Sequence, residues 1–121
     1  MPTRDHRDLV VWQRAVDLAV VTHLVTAEFT VENRIAYAAQ LRRSASSVAA
    51  NIAEGAARKH PKELIQSLSI ARGSLAELHT HYVIVGRVNL ISDEKAREVN
   101  ERIDHVARML TKAIGALKRR G

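Results

Sequence analysis

The chain has 121 residues and no cysteine, and 19 lysine and arginine residues against 13 aspartate and glutamate residues give it a net charge of +6. This length suits one domain, assigned to residues 1–121, whose core needs neither disulfides nor a structural metal, and the lack of cysteine and of a signal sequence favours the cytoplasm. The basic balance favours RNA or DNA as a partner only weakly, because charges of this size also serve solubility.

The first predicted helix covers about residues 8–27. Its apolar side chains lie nearly all round the helix, which predicts burial on two sides. The most apolar stretch, residues 15–25, contains Asp17 and His23 and is too short to cross a bilayer, so we expect no membrane partner.

The second predicted helix covers about residues 31–55, with Thr30 as its N-cap and Gly55 as its stop. Its sequence divides into three faces when wound at 3.6 residues per turn. One face is apolar, comprising Leu41, Ala45, Val48 and Ile52. A second is polar, comprising Gln40, Arg43, Ser47, Asn51 and Glu54, and a third is small, comprising Ser46, Ala49, Ala50, Ala53 and Ala57. One bundle cannot bury all of this surface and that of the first helix, so we expect self-association.

Two further helices are predicted, at about residues 61–88 and 93–118, each with apolar residues at alternating steps of three and four. Pro61 suits the first position of the third helix, and Ser92 is the candidate N-cap of the fourth. Four helices of this length with short connections predict an all-α, antiparallel up-down-up-down four-helix bundle.

Three motifs together resemble one known family. They are Asp8-Leu9-Val10-Val11-Trp12-Gln13-Arg14-Ala15, then Gln40-Leu41-Arg42-Arg43-Ser44-Ala45 with Asn51-Ile52-Ala53-Glu54-Gly55, then Ile70-Ala71-Arg72-Gly73-Ser74-Leu75-Ala76-Glu77-Leu78. The chain is thereby similar to the four-helix-bundle protein, also called the 23S rRNA intervening-sequence or S23-type protein. His60-Pro61 stands where that family has a serine-type cap, which leaves the conformation of this loop open.

The resemblance implies an antiparallel four-helix bundle that assembles as a homopentamer. It also implies kinship with basic accessory subunits that bind nucleic acid beside reverse transcriptases. The family name reflects genes found inside insertions of bacterial 23S rRNA, and it assigns no biochemical activity.

No catalytic pattern is present in the sequence. A di-iron bundle needs Glu-x-x-His pairs, and none occurs. Glu77 with His81 and Glu101 with His105 are four residues apart, a spacing more typical of hydrogen-bonded surface pairs than of ligands. We therefore predict a protein that is not an enzyme, with no metal, cofactor or small-molecule substrate, although residues such as Glu54, Glu77 and His81 leave open a site between subunits.

Four polar residues are candidates for setting the helix register: Arg43, Asn51, Glu54 and Glu77. If the second and third helices are antiparallel about Arg58, Arg43 falls near Ser74 and Glu77. We expect Arg43 and Glu77 to form a partly buried charge pair, which specifies register more than it adds stability. The alternative is an exposed polar face.

The candidate nucleic-acid-binding residues are Arg4, Arg7, Arg42, Arg58, Lys59, Lys62, Arg72, Lys118, Arg119 and Arg120. Antiparallel topology gathers most of them at one end of the bundle, with Arg42 and Arg72 along its sides. Such a surface suits phosphate contacts, and the few aromatic residues disfavour base stacking. The alternatives are a solvated basic end and a protein–protein interaction scaffold with no nucleic-acid role.

Overall fold

Four long helices make up the protein in a computed structural model that describes residues 5–58 and 60–120. They are α1 (Val10–Ala27), α2 (residues 31–57), α3 (Pro61–Arg87) and α4 (Asp93–Arg120). The described residues contain no strand. The predicted all-α bundle is therefore confirmed.

The first helix begins two residues later than predicted. Asp5 caps a single 3₁₀ turn, His6–Asp8, by accepting a hydrogen bond of 2.8 Å from the backbone N–H of Arg7. Leu9 follows with an extended backbone, and the α-helix starts at Val10.

Helix α2 is continuous but not uniform. An α-helical turn at Val31–Asn33 leads into a π-helical segment at Arg34–Ala38 and then into regular α-helix at Ala39–Ala57. Thr30 caps it as predicted, because its hydroxyl accepts from the N–H of Asn33 at 3.2 Å. A π segment inserts extra backbone per turn and so changes which side chains face the core.

Gly55 does not end α2, and that prediction was wrong. The helix continues to Ala57, and no glycine among the described residues has a positive φ. Gly55 is buried, and a Cβ built on it would lie 2.7 Å from the Cβ of Ser67 in α3. The glycine is required by the close approach of two helices rather than by a turn.

Helices α2 and α3 run in opposite directions. The hydroxyls of Ser47 and Ser74 hydrogen-bond at 2.9 Å, and Gly55, further along α2, meets Ser67, which comes earlier in α3. The short loop of residues 88–92 requires the same relation between α3 and α4.

Helix α4 returns beside α1 and closes the square of helices. Arg14, near the start of α1, shares a cleft with His105, whereas Val25, near the end of α1, shares one with Lys95. The diagonally opposite helices α1 and α3 are also linked, because the hydroxyls of Thr22 in α1 and Tyr82 in α3 hydrogen-bond at 2.7 Å.

The core lies along the bundle axis and is formed by the apolar stripes of all four helices. The stripe predicted on α2 is buried along its whole length: Leu41, Ala45, Val48 and Ile52. Tyr82 is 2% exposed, and every buried side-chain polar atom of the described residues has a hydrogen-bond partner. Among the described helices, none combines the length and the apolar character needed to cross a membrane.

Candidate nucleic-acid interface

One end of the bundle brings together residues 5–9, which precede α1, the start of α3 and the last turn of α4. Because α3 and α4 are antiparallel, Lys62 in the first turn of α3 lies at the same end as the last turn of α4. We call the six described candidate cations there the basic end: Arg7, Arg58, Lys62, Lys118, Arg119 and Arg120. Two further candidates, Arg4 and Lys59, lie outside the described residues.

Two arginines of the basic end are held by carboxylates of the same chain. Arg7 donates to both oxygens of Asp5, from Nε at 3.0 Å and from Nη2 at 2.8 Å. These hydrogen bonds, with the one from the Arg7 backbone, hold the pKa of Asp5 well below its ordinary value. Arg58 donates to Oε1 of Glu54, one turn earlier in α2, at 3.1 Å.

The other four cations of the basic end are exposed. Among the described residues, no carboxylate lies within 4.0 Å of their nitrogen atoms. They are Lys62, Lys118, Arg119 and Arg120. Three of them follow one another in the last turn of α4, so they extend in different directions round the helix axis and present a broad positive surface.

Arg42 and Arg72 lie away from the basic end, as a placement along the sides predicts. At a rise of 1.5 Å per residue, Arg72 is roughly 15 Å along α3 from Lys62, and Arg42 is roughly 24 Å along α2 from Arg58. Arg42 is half-buried, and its Nε donates to the Thr26 hydroxyl at 2.7 Å. The structure does not bring these two arginines together with the terminal cations.

The α2–α3 loop keeps a side-chain cap despite its unusual residue. Nδ1 of His60 accepts from the N–H of Lys62 at 3.3 Å, and Pro61 occupies the first helical position. Histidine therefore takes the role of the serine-type cap and fixes the direction in which α3, with Lys62 in its first turn, leaves the loop.

The predicted pair of Arg43 and Glu77 is absent, which corrects the register assignment. Both side chains are exposed, and Glu77 instead lies 3.6 Å from Nε2 of His81. Ser47, one turn beyond Arg43, lies opposite Ser74, and the Arg43 and Glu77 side chains face solvent rather than the contact between α2 and α3.

The other two register candidates have partners within their own helix. Asn51 is half-buried and donates from Nδ2 to the carbonyl and the hydroxyl of Ser47, at 2.8 and 3.0 Å. Glu54 is exposed and bonded to Arg58. The polar contact that joins α2 to α3 is thus the pair of serine hydroxyls, supported by Asn51.

Sequence reasoning missed a chain of buried polar groups between α1, α2 and α3. The Thr26 hydroxyl donates to the backbone carbonyl of Thr22 at 2.9 Å and accepts from Arg42, and the Thr22 hydroxyl bonds Tyr82. A signal was present in the sequence, since Thr22 lies on the same stripe as the buried Leu18.

The described residues contain no cluster of side chains arranged like metal ligands. Groups of three or more histidine, aspartate or glutamate side chains placed to hold a metal ion do not occur there. Glu101 and His105 line an open cleft of about 360 Å³ between α1 and α4, together with Arg14, without forming an ion pair within 4.0 Å.

The comparison with protein families decides the family. The model of the 23S rRNA-intervening sequence protein matches residues 7–112, which include all three motifs and the four helices except the last residues of α4. The chain belongs to this family.

A solved structure supports the fold of this family member. It is a crystal structure of a protein with unknown function from the S23 ribosomal protein family of Bacteroides thetaiotaomicron. The two chains share 24% sequence identity with a TM-score of 0.77, over 87% of this chain and 98% of the other. No curated protein matches the sequence.

Proposed function

We propose that this family member is a non-enzymatic, self-associating bundle that binds RNA or DNA through its basic end. The observation that carries the proposal is the group of four exposed cations, Lys62, Lys118, Arg119 and Arg120, on two neighbouring helix termini. Cations of this kind contact backbone phosphates and release their counterions, which supplies affinity without sequence readout.

The distribution of charge along α4 also favours nucleic-acid binding at the basic end. Its first turn carries Asp93 and Glu94, whereas its last turn carries three consecutive cations. The acidic first turn lies at the opposite end of the bundle, beside the α1–α2 turn. A polyanion is therefore attracted to the last turn of α4 and repelled from its first turn.

Exposed apolar side chains support self-association. Val20 and Leu24 are exposed one turn apart on α1, where Leu24 is 61% exposed, and Ile70 and Ile84 are exposed on α3. Because α1 and α3 are diagonal in the bundle, these are two different surfaces, and a contact between them would be head-to-tail. Head-to-tail contacts form a closed ring when the rotation between successive subunits closes, and we propose the ring of five that the family resemblance implies.

A ring would increase the effect of the basic end. In a cyclic assembly every subunit has the same orientation relative to the axis, so all the basic ends occupy equivalent positions on the ring. Simultaneous contacts by linked sites raise the overall affinity without any new contact in the single subunit.

The second candidate function is an interaction scaffold for other proteins, which the same exposed apolar side chains favour. The two functions differ in their response to salt. Phosphate contacts weaken steeply as salt rises, whereas an apolar protein interface does not.

The test is a fluorescence-anisotropy titration against duplex DNA and structured RNA at two salt concentrations. With four phosphate contacts, the affinity for duplex DNA should fall on the order of 100-fold between about 50 and 200 mM salt. The variant R119A/R120A should bind more weakly and fall only on the order of 10-fold, because two contacts are lost.

A matched control is available at the opposite end of the bundle. R87A/R97A removes the same charge from two exposed arginines, and neither of them lies within 4.0 Å of a carboxylate among the described residues. It should keep the salt dependence of the unmodified protein. Absence of binding at about 50 mM salt, or equal losses in both variants, would contradict the proposed function and direct attention to protein partners.

A further inference from the structure

Two of the six described cations of the basic end, Arg7 and Arg58, already pair with carboxylates of the same chain. The Arg7 guanidinium meets Asp5 side-on, with two donor atoms on two carboxylate oxygens, at 3.0 and 2.8 Å. Arginine uses the same two-point geometry to hold a phosphate group. Asp5 therefore occupies the position that a phosphate would take on Arg7.

Glu54 does the same for Arg58 with a single contact. The two residues are one turn apart near the end of α2, and their side chains meet at 3.1 Å while more than half of each is exposed to solvent. An exposed pair of this kind adds little stability, so its loss leaves the fold intact. It does reduce the positive charge that the guanidinium presents at the basic end.

The geometry points to a second role for these acids: we propose that Glu54 and Asp5 compete with nucleic-acid phosphates for Arg58 and Arg7, and so set the affinity of the basic end. This inference rests on the proposed function, because it concerns how strongly that same surface binds. It assigns the four exposed cations to the initial contacts, and it makes the two paired arginines available only when a phosphate displaces a carboxylate.

The two pairs differ from the other acids at this end. Asp8 and Glu63 are also exposed there, and neither is within 4.0 Å of a cation among the described residues. Each pair thus comes with a matched acid of the same type at the same end. A general effect of negative charge would be equal for the acid that contacts Arg7 or Arg58 and for its matched acid, whereas competition for an arginine would not.

The experiment compares Glu54→Gln with Glu63→Gln in titrations against one duplex DNA. Both variants lose one negative charge, so both should bind somewhat more tightly. Only Glu54→Gln should also steepen the salt dependence, by a further factor of about three between about 50 and 200 mM, which is the effect of one more phosphate contact.

A double-mutant cycle with Arg58→Gln makes the test specific. Removal of Arg58 should weaken binding slightly in the unmodified protein and about threefold more in the Glu54→Gln background, where the guanidinium has become a phosphate ligand. Equal losses in the two backgrounds would overturn the inference. Circular dichroism and light scattering of each variant check that the fold and the particle mass are unchanged.

The first pair gives an independent measurement. Asp5→Asn keeps a side-chain oxygen to cap the 3₁₀ turn while it removes the charge that holds Arg7. It should steepen the salt dependence relative to Asp8→Asn, by the same factor of about three. If none of the proteins binds at low salt, the proposed function itself is refuted. If binding is salt-sensitive but the variants of Asp5 and Glu54 do not differ from those of their matched acids, only this inference is refuted.

Discussion

At the scale of single residues, the helix interfaces depend on two residues whose size or polarity is constrained by a neighbouring helix. Gly55 allows α2 to approach Ser67 of α3, and Tyr82 satisfies its hydroxyl by reaching Thr22 across the core. Neither requirement is visible in the propensity of the residue itself, since glycine is a poor helix former and tyrosine an ordinary one.

The first prediction concerns Gly55. Replacement by alanine places a Cβ 2.7 Å from Ser67 Cβ, so the helices must separate. This overpacking costs about 1–3 kcal/mol, more than the gain of up to about 1 kcal/mol in helix propensity. Urea unfolding at one protein concentration should show lower stability.

Gly73 provides the control for that substitution. It is helical and exposed, and a Cβ built there meets nothing within 4 Å. Gly73→Ala should raise the free energy of unfolding by about 0.5–1 kcal/mol. A stabilising Gly55→Ala would show that the α2–α3 contact is less tight than the structure indicates.

The second prediction concerns the pH dependence contributed by Tyr82. Burial raises the pKa of Tyr82 from its ordinary value of 10.0 to about 12, against the opposing effect of the hydrogen bond with Thr22. The folded protein thus holds this proton more tightly than the unfolded chain. The resulting stability is complete below pH 10 and is lost as pH rises towards 12, by about 2–3 kcal/mol.

The Tyr82→Phe variant isolates this contribution. Unfolding free energies measured from pH 9 to 12 should fall less steeply for the variant, because it has no proton to lose at that position. Below pH 9 it should be less stable by about 1–3 kcal/mol, since Thr22 is left without its partner. Parallel pH profiles for the two proteins would show that Tyr82 is not the group responsible.

At the scale of elements, helix starts follow local side-chain chemistry. Thr30, His60 and Ser92 each accept a hydrogen bond from an N–H two or three residues later in the chain. The end of α3 is also set by local backbone conformation. The α3–α4 turn uses Asn89 at φ 62°, with Leu90 N–H donating to the Val85 carbonyl at 2.9 Å.

The third prediction tests the start of α4. The Ser92 hydroxyl accepts from the N–H of Lys95 at 3.0 Å. Ser92→Ala should lower the free energy of unfolding by about 1 kcal/mol, and Ser92→Asp should restore it, because aspartate caps as well as serine. The result is read from the urea midpoint at constant slope, and equal stability of the alanine variant would show that the cap contributes nothing.

At the scale of the whole molecule, the bundle leaves apolar surface uncovered on more than one side. Leu24 on α1 and Ile35, which is 80% exposed in the π segment of α2, are large apolar side chains in contact with solvent. Isolated exposed apolar residues are ordinary on a protein surface, whereas contiguous ones mark interaction sites, and Val20 and Leu24 are neighbours one turn apart on α1. The self-association proposal assigns this surface to a second copy of the chain.

The fourth prediction tests that assignment. Leu24→Glu should reduce the particle mass measured by light scattering from about five chain masses towards the 13.5 kDa of one chain, with helical content unchanged. Thr111→Glu, at an exposed position on α4, should leave the mass as it is. A monomeric unmodified protein at micromolar concentration would contradict self-association.

The sequence by itself determined the features that depend on neighbours along the chain. The alternation of apolar steps predicted four helices and the stripe of Leu41, Val48 and Ile52, because helical periodicity is a local property. The caps at Thr30 and Ser92 followed for the same reason. The basic end could also be predicted in outline, since short connections force antiparallel neighbours.

Only the tertiary structure decided which residues meet. The sequence cannot show that Ser47 rather than Arg43 lies opposite Ser74, because a shift of one turn preserves every apolar stripe. Likewise, glycine is a residue type that often ends a helix, and only the position of Ser67 shows that Gly55 instead allows α2 and α3 to approach closely. The tertiary structure also decides that Arg7 pairs with Asp5 and Arg58 with Glu54. Several acidic residues lie near each arginine in the sequence, and only the side-chain geometry shows which of them it contacts.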